Sequence, residues 1–328
     1  MDKTGGNEMK TVILDAYTEN PGDLSWEWIK EAGSELEVYD RTDTADIIKR
    51  AENAEILVTN KCVISKEIIE KLSSLKYIQV IATGYNVVDI KAAKENGIIV
   101  CNIPAYSTNG VAQLVFSFLL EMMQQVAIHS ESVHNGEWSA SPHFCYQKTK
   151  LTELAGKTIG IIGFGKIGQT VAQIANAFSM NVIAYAPRPK EYNGFGKVEF
   201  VTLKELQQIS DVITLHCPLT DETNQLVNES FLSEMKDGAY LINTARGGVI
   251  DEKAVAAALE SGKLAYFGTD VLSCEPPKAD NPLLGCKNCL ITPHIAWANF
   301  EARTRLMNIF KENFEAYLRK EPINIVNK

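Results

Sequence analysis

Thr158-Ile-Gly-Ile-Ile-Gly163-Phe-Gly165-Lys-Ile-Gly168 is the stretch that decides the fold. An apolar run of strand type leads into Gly163, and a helix pattern, Ile167–Phe178, follows directly. The glycines between them have G-x-G-x-x-G spacing. Alone that spacing is weak evidence; between a strand and a helix it predicts a dinucleotide-binding βα turn. Gly163 permits the tight turn, Gly165 lets the backbone approach a pyrophosphate, and Gly168 lets the helix pack close to the strand. The helix N-terminus then points its unpaired N–H groups at the phosphates. The competing reading is a βα turn whose glycines serve packing alone.

Outward from this turn, short β-rich runs alternate with helical segments along most of the chain. The runs are Thr11–Asp15, Glu55–Thr59, Tyr77–Ala82, Gly97–Cys101, Thr158–Gly163, Asn181–Ala186, Val198–Val201, Asp211–His216, Ala239–Asn243, Tyr266–Asp270 and Leu290–Thr292. Most are continuously apolar, as parallel strands buried on both faces are. Strand–helix alternation implies right-handed βαβ units and an α/β fold of two doubly wound parallel-sheet domains. Two long helices are expected, about Thr108–His129 and about Asn299–Arg319. Each lies near a change of sheet. Strands up to Cys101 form one sheet and strands from Thr158 form the other, with the last helix returning to the first domain. The expected domains are therefore 1–107 plus 297–328, discontinuous, and 108–296. Ser130–Lys150 is polar and aromatic without clear periodicity; it reads either as an arm that contacts a second subunit or as a surface loop.

The 328 residues include 32 Lys and Arg against 41 Asp and Glu, a net charge of −9. That balance argues against nucleic acid, whose phosphates need a basic patch. A small anionic substrate stays compatible, because one local Arg outweighs the global charge. The longest apolar stretch, Val111 to Met123, is interrupted by Gln113, Ser117 and Glu121 and is too short to span a bilayer. MDKTGGNEMK lacks the apolar core of a signal peptide and reads as an unstructured lead-in, with Met9 an alternative start. Seven scattered cysteines fit a reducing cytosol, so a cytoplasmic location is expected. Cys286 and Cys289 form a single C-x-x-C; without a second pair, the spacing does not argue for zinc.

The strand after the glycine turn should end on the residue that reads the adenosine ribose, usually Asp or Glu for NAD. Here it runs Tyr185-Ala186-Pro187-Arg188-Pro189-Lys190. Ala186 does not repel a 2′-phosphate and Arg188 can pair with one, so NADP is an open alternative to NAD. Three later strand ends carry polar residues in apolar surroundings: Asn243-Thr244-Ala245-Arg246-Gly247-Gly248, Asp270 through Glu275-Pro276-Pro277, and Thr292-Pro293-His294-Ile295-Ala296-Trp297. Ligands in open α/β sheets sit outside such carboxyl ends. Each of Arg246, Glu275 and His294 has a plain structural explanation taken singly. Three strand ends beside a dinucleotide turn favour a shared site.

These pieces make the sequence resemble the D-2-hydroxyacid dehydrogenases from about Thr59 to Asn324. The resemblance rests on Ala82-Thr-Gly-Tyr-Asn86, Gly160 to Gly168, His216-Cys-Pro-Leu-Thr220, Asn243 to Asp251, Gly268 to Leu272 with Glu275-Pro276, and Thr292-Pro-His-Ile-Ala296. Gly136-Glu-Trp138, Phe144-Cys-Tyr146 and Trp297 are most similar to glycerate dehydrogenases, also called hydroxypyruvate reductases. The resemblance implies a Rossmann dinucleotide-binding domain over 108–296 and a flavodoxin-like substrate domain over 1–107 plus 297–328. It implies NAD(P)-dependent reduction of a small 2-keto acid, hydroxypyruvate or glyoxylate, to D-glycerate or glycolate. Pyruvate or a phosphorylated hydroxy acid is the nearest alternative. A dinucleotide-sensing interaction protein is a further one, since the family includes corepressors.

By the same resemblance Arg246 holds the substrate carboxylate, His294 donates a proton to the carbonyl oxygen, and Glu275 orients the imidazole. Related formate dehydrogenases carry Gln at the Glu275 position. Reduction should therefore fall with rising pH as the imidazolium loses its proton. Gly163, Gly165, Lys166, Ile167, Gly168, Arg188, His216, Pro218, Thr244, Ala245, Asp270 and Ala296 are implied cofactor contacts. Tyr85, Asn86 and Trp297 are implied substrate contacts. No metal is implied, and a homodimer is. Tyr85-Asn86-Val87-Val88-Asp89 and Ala186 depart from the commonest family pattern. The end at Lys328 is expected to leave no room for the regulatory domain of longer phosphoglycerate dehydrogenases.

Overall fold

The computed structural model describes residues 9–188, 192–194 and 196–328. The lead-in before Met9, and Pro189 and Lys190 of the ribose-reading stretch, lie outside the described residues. The chain divides into two compact units: one holds the residues up to Ser107 together with Trp297–Lys328, the other holds Thr108–Ala296.

In the first unit five strands, β1 (Met9–Ile13), β2 (Ser34–Val38), β3 (Ile56–Thr59), β4 (Tyr77–Val80) and β5 (Ile99–Cys101), form a sheet of order β2-β1-β3-β4-β5. Every pairing is parallel. Side-chain alternation sends Val12, Leu57, Ile78 and Val100 into one core and Ile13, Val58, Tyr77 and Cys101 into another, so both faces are covered. The helix Phe300–Leu318 closes the second face with Ala302, Leu306, Phe310 and Phe314. Arg303 on that helix makes a two-pronged pair with Asp23, at 2.7 and 2.6 Å.

In the second unit seven strands, β6 (Thr158–Ile162), β7 (Asn181–Tyr185), β8 (Glu199–Phe200), β9 (Val212–Leu215), β10 (Ala239–Asn243), β11 (Leu264–Thr269) and β12 (Cys289–Ile291), form a sheet of order β12-β11-β10-β9-β6-β7-β8. These pairings are parallel too. Ile162, Ile183, Ile213 and Leu241 face one core; Ile159, Ile161, Val182 and Val212 face the other. The strand order reverses between β6 and β9, and that is where an open α/β sheet offers a ligand crevice.

Four local expectations need correction. Met9 and Lys10 belong to β1 rather than to a lead-in. Ser34–Val38 is a strand that the search for apolar runs passes over: it is the sheet edge, Glu35 and Glu37 interrupt its apolar residues, and Ser34 is its one fully buried residue. The helix expected over Thr108–His129 is two helices, Thr108–Gln124 and Val126–His134, bent by 55°. Gln125 breaks it with a left-handed backbone, φ 46°. The second helix also takes the start of the Ser130–Lys150 segment. Among the described residues no single helix is long and apolar enough to cross a membrane. The bent pair has the length and composition together, but Val111, Val115, Phe116, Leu119 and Met122 of its first helix are buried in the core.

Candidate active site

The glycine turn works by close approach at two positions and open space at the third. Gly163 has φ +93°, and a Cβ there would lie 2.6 Å from the backbone of His216 and Cys217, at the start of the loop after β9. Its N–H donates to the Tyr185 carbonyl at 2.9 Å. A Cβ on Gly168 would lie 2.3 Å from the Gly163 carbonyl oxygen and 3.2 Å from Ile161, so helix and strand touch there. A Cβ on Gly165 would meet nothing within 4 Å. No protein packing demands a glycine at Gly165. It lies at the cap of the helix Lys166–Ala177, which has no side-chain cap. The first N–H groups of a helix lack internal partners and favour an anion. Space in front of an uncapped helix start, beside the crevice, fits a pyrophosphate. Phe164, wedged edge-on against Tyr192 and Phe200, anchors the turn.

Lys166 and Ile167 open that helix. Arg188 is exposed two residues past Ala186, which packs against the core. On the other side of the crevice, His216 and Pro218 follow β9. Nε2 of His216 is 2.9 Å from the Thr214 hydroxyl, and burial pushes its pKa down to about 3, so the ring is neutral.

β10 delivers Thr244, Ala245 and Arg246. The buried Asn243 side chain brackets this turn: its Oδ1 accepts from the Ala245 N–H at 3.0 Å and its Nδ2 donates to the Arg246 carbonyl at 3.0 Å. The Thr244 hydroxyl is buried with no hydrogen-bond partner in the protein. A buried orphan of this kind is costly and fits a group supplied by a ligand. Gly247 follows, where a Cβ would lie 2.0 Å from the Leu272 backbone. Only glycine lets the β10 loop press so closely on the loop that carries Glu275. The exposed Arg246 guanidinium donates one bond to the Ala245 carbonyl at 2.7 Å.

Asp270, which is buried, directly follows β11. It accepts from the Thr292 hydroxyl at 2.5 Å and from the Ile295 and Ala296 N–H groups at 2.8 Å each. Burial pushes its carboxyl above the usual range, against these three bonds and nearby His294, which favour the charged form. Asp270 thus ties the segment after β12 to the end of β11. His294 sits in that segment with φ 56°, a backbone rarely adopted by a side-chain-bearing residue. Its Nδ1 lies 2.6 Å from Glu275 Oε2, while Glu275 Oε1 accepts from the Leu272 N–H at 3.0 Å. A carboxylate on Nδ1 fixes that nitrogen as the donor and leaves Nε2 for a reacting group. Among the described residues Nε2 has no protein partner.

The structure therefore groups Arg246, Glu275, His294, Asp270 and Thr244 on neighbouring strand ends of one sheet. Tyr85, Asn86 and Trp297 belong to the other unit. Tyr85 and Asn86 follow β4 in an exposed loop, and Trp297 packs edge-on to Tyr106. Sequence reasoning did not single out Asn243, Thr292 or Glu252. Glu252 holds the Glu275 loop by accepting from the Ser273 N–H at 2.8 Å and its hydroxyl at 2.9 Å. These partners are 21 residues apart and carry no local signal.

Residues 116–296 match the model of the D-isomer specific 2-hydroxyacid dehydrogenase NAD-binding domain. A hydroxypyruvate reductase of Blautia hydrogenotrophica is 47% identical over 323 residues, 98% of this chain and 100% of that one. A glycerate dehydrogenase of Methylorubrum extorquens is 40% identical over 295 residues, 89% of this chain and 92% of that one. A solved acyclic imino acid reductase in complex with NADPH and D-Arg superimposes with TM-score 0.84 at 37% identity, covering 97% of this chain and all of that one. The chain is an NAD- or NADP-binding oxidoreductase, a member of the D-isomer specific 2-hydroxyacid dehydrogenase family.

Proposed function

We propose that this protein reduces a small 2-keto acid, hydroxypyruvate or glyoxylate, to D-glycerate or glycolate. The observation that carries the proposal is the 2.6 Å His294–Glu275 pair, on strand ends of the same sheet as Arg246 and the glycine turn. The names of two close relatives, a hydroxypyruvate reductase and a glycerate dehydrogenase, support the substrate class. When bound, the nicotinamide cofactor supplies the hydride. The chain supplies position, charge and the proton. Arg246 binds the substrate carboxylate by a charge-assisted fork and draws electron density from the keto oxygen. Tyr85, Asn86 and Trp297, which belong to the other unit, are the further candidate substrate contacts. Protonated His294 gives its Nε2 proton to the carbonyl oxygen as the alcohol forms, and takes it back in oxidation. Glu275 holds the ring in the required tautomer and stabilises its charge.

Residues 108–296 bind the dinucleotide, with Gly163, Gly165, Lys166, Ile167 and Gly168 at the pyrophosphate. His216, Pro218, Thr244, Ala245 and Ala296 would line the bound cofactor, and Asp270 would hold its nicotinamide end. Residues 1–107 with 297–328 form the substrate domain. Because Ala186 carries no charge and Arg188 is exposed, NADPH is accepted alongside NADH. The working unit is a homodimer: Val126, Ile128, Val133, Trp138 and Phe144 are all exposed, Phe144 at 90%, and a second copy would cover them. Seven cysteines, scattered and odd in number, support a cytoplasmic location.

The test is loss of reduced-nicotinamide absorbance with hydroxypyruvate, glyoxylate and pyruvate, each with NADH and with NADPH. Rapid oxidation with hydroxypyruvate is expected, at comparable kcat/KM for the two cofactors. Tight cofactor binding with no turnover on any of the three would overturn the proposal. A strong preference for NADH would overturn the role given to Arg188.

A further inference from the structure

We propose that Cys286 and Cys289 form a disulfide-forming pair that opens and closes by thiol exchange in the folded protein. Among the described residues all seven cysteines are free thiols, and this is the one pair close in sequence. The short 3-10 helix Pro282–Gly285 ends at Cys286, and the Cys289 N–H donates back to the Cys286 carbonyl at 3.2 Å. That bond closes a four-residue turn, whose outer Cα atoms lie within about 7 Å, while a disulfide spans about 4.4–6.8 Å. Both side chains pack against the same hydrophobic cluster, and the Cys286 thiol donates to the Pro282 carbonyl at 3.5 Å. Both are half-buried, so neither is sealed from a small reagent.

Cys289 begins β12, the sheet edge, which has β11 as its one neighbour. A turn leading into an edge strand can adjust by a few tenths of an ångström without disturbing a second strand. Burial pushes the Cys289 thiol up to about 12, and the Cys286 sulfur adds to the rise. The Cys286 thiol is raised as well, by burial and by Glu260. Desolvation that disfavours a thiolate does not disfavour an uncharged disulfide. The raised values predict slow exchange, because the thiolate is the attacking species.

The electron balance needs an oxidant, a low-molecular-weight disulfide such as oxidised glutathione. Cys286 loses its proton and attacks one glutathione sulfur; the glutathione S–S bond breaks and one glutathione thiol leaves. Cys289 then loses its proton and attacks the Cys286 sulfur of the mixed disulfide, releasing the second glutathione thiol. Two protein thiols are oxidised and one glutathione disulfide is reduced.

The experiment incubates the native chain with oxidised glutathione, alkylates the remaining thiols without reductant and maps the peptides by mass. The peptide holding both residues should be lighter by two hydrogens and unalkylated, and dithiothreitol should restore two alkylatable thiols. Cys289→Ser should stop at a glutathione adduct on Cys286. Full alkylation of both thiols in the wild type would overturn the proposal. A stable wild-type glutathione adduct, or a bond from Cys286 to Cys145 or Cys274, would overturn it equally. Circular dichroism of the oxidised chain should match the reduced one; an unfolded spectrum would mean that the bond needs a non-native turn.

Discussion

Glu275→Gln removes one charge and little else. The amide keeps the side-chain length, and its oxygen can still accept from the Leu272 N–H, which now lies 3.0 Å from Oε1. What it loses is the carboxylate 2.6 Å from His294 Nδ1. A hydrogen bond involving a charged group contributes about 1.5–3 kcal/mol, against about 0.5–1.5 for a neutral one. The difference is about 1–2 kcal/mol, and the side chains of His294 and Glu275 are 28% and 37% exposed, which favours the lower half. At about 1.4 kcal/mol per tenfold, kcat/KM for hydroxypyruvate reduction should fall about five- to twelvefold. The assay is steady-state oxidation of the reduced cofactor, paired with its Kd from quenching of protein fluorescence. The Kd should stay within about twofold, since Glu275 is assigned no cofactor contact. A variant with wild-type kcat/KM would refute the reasoning. So would one that lost cofactor affinity in step with its rate.

Arg246→Lys keeps the charge but loses the two-pronged fork, so KM for the keto acid should rise at least tenfold with cofactor Kd unchanged; unchanged KM would mean that Arg246 does not hold the carboxylate. The glycine turn gives a contrast between two substitutions of the same size. Gly168→Ala puts a methyl 2.3 Å from the Gly163 carbonyl and should cost about 1–3 kcal/mol of stability, seen as a lower Tm. Gly165→Ala meets no protein atom within 4 Å and should leave Tm unchanged while weakening the dinucleotide at least tenfold; a stable variant with wild-type cofactor affinity would refute the pyrophosphate assignment. Glu19 is buried against the Asn60 amide and the Thr18 hydroxyl, and its pKa is pushed from 4.5 up to about 8, mainly by burial. The folded state therefore holds a proton that the unfolded state gives up. Its share of stability is full below pH 4.5 and is lost as pH rises to about 8. The slope between is about 1.4 kcal/mol per pH unit. Glu19→Gln should flatten the decline of unfolding free energy between about pH 5 and 7 by about 2–3 kcal/mol, and an unchanged slope in urea titrations would contradict it.

What the sequence made legible follows from how far each signal reaches. β6 and the glycine turn are local, and Gly163, Gly165 and Gly168 carry their geometry in spacing alone. Buried parallel strands such as β9 and β10 announce themselves as apolar runs. β2 does not, because it is a sheet edge where Glu35 and Glu37 interrupt the run and both Glu35 and Val38 meet water. The break at Gln125 is not legible, because no glycine or proline marks it; the left-handed backbone of Gln125 itself makes the bend. The polar residues at three strand ends were visible, but not what aligns them. Asp270 reaches Ala296 across 26 residues, Glu252 reaches Ser273 across 21, and Gly247 is required by the Leu272 backbone. Such ties exist only once the strands are side by side.

His294→Ala, assayed for turnover and for cofactor binding on one preparation, tests the central claim most directly. General acid catalysis supplies about 10²–10⁴ in rate, so hydroxypyruvate reduction should fall by that factor while the Kd for NADH and NADPH stays near wild type. Near-wild-type turnover would contradict the proton-donor role, and with it the proposed mechanism.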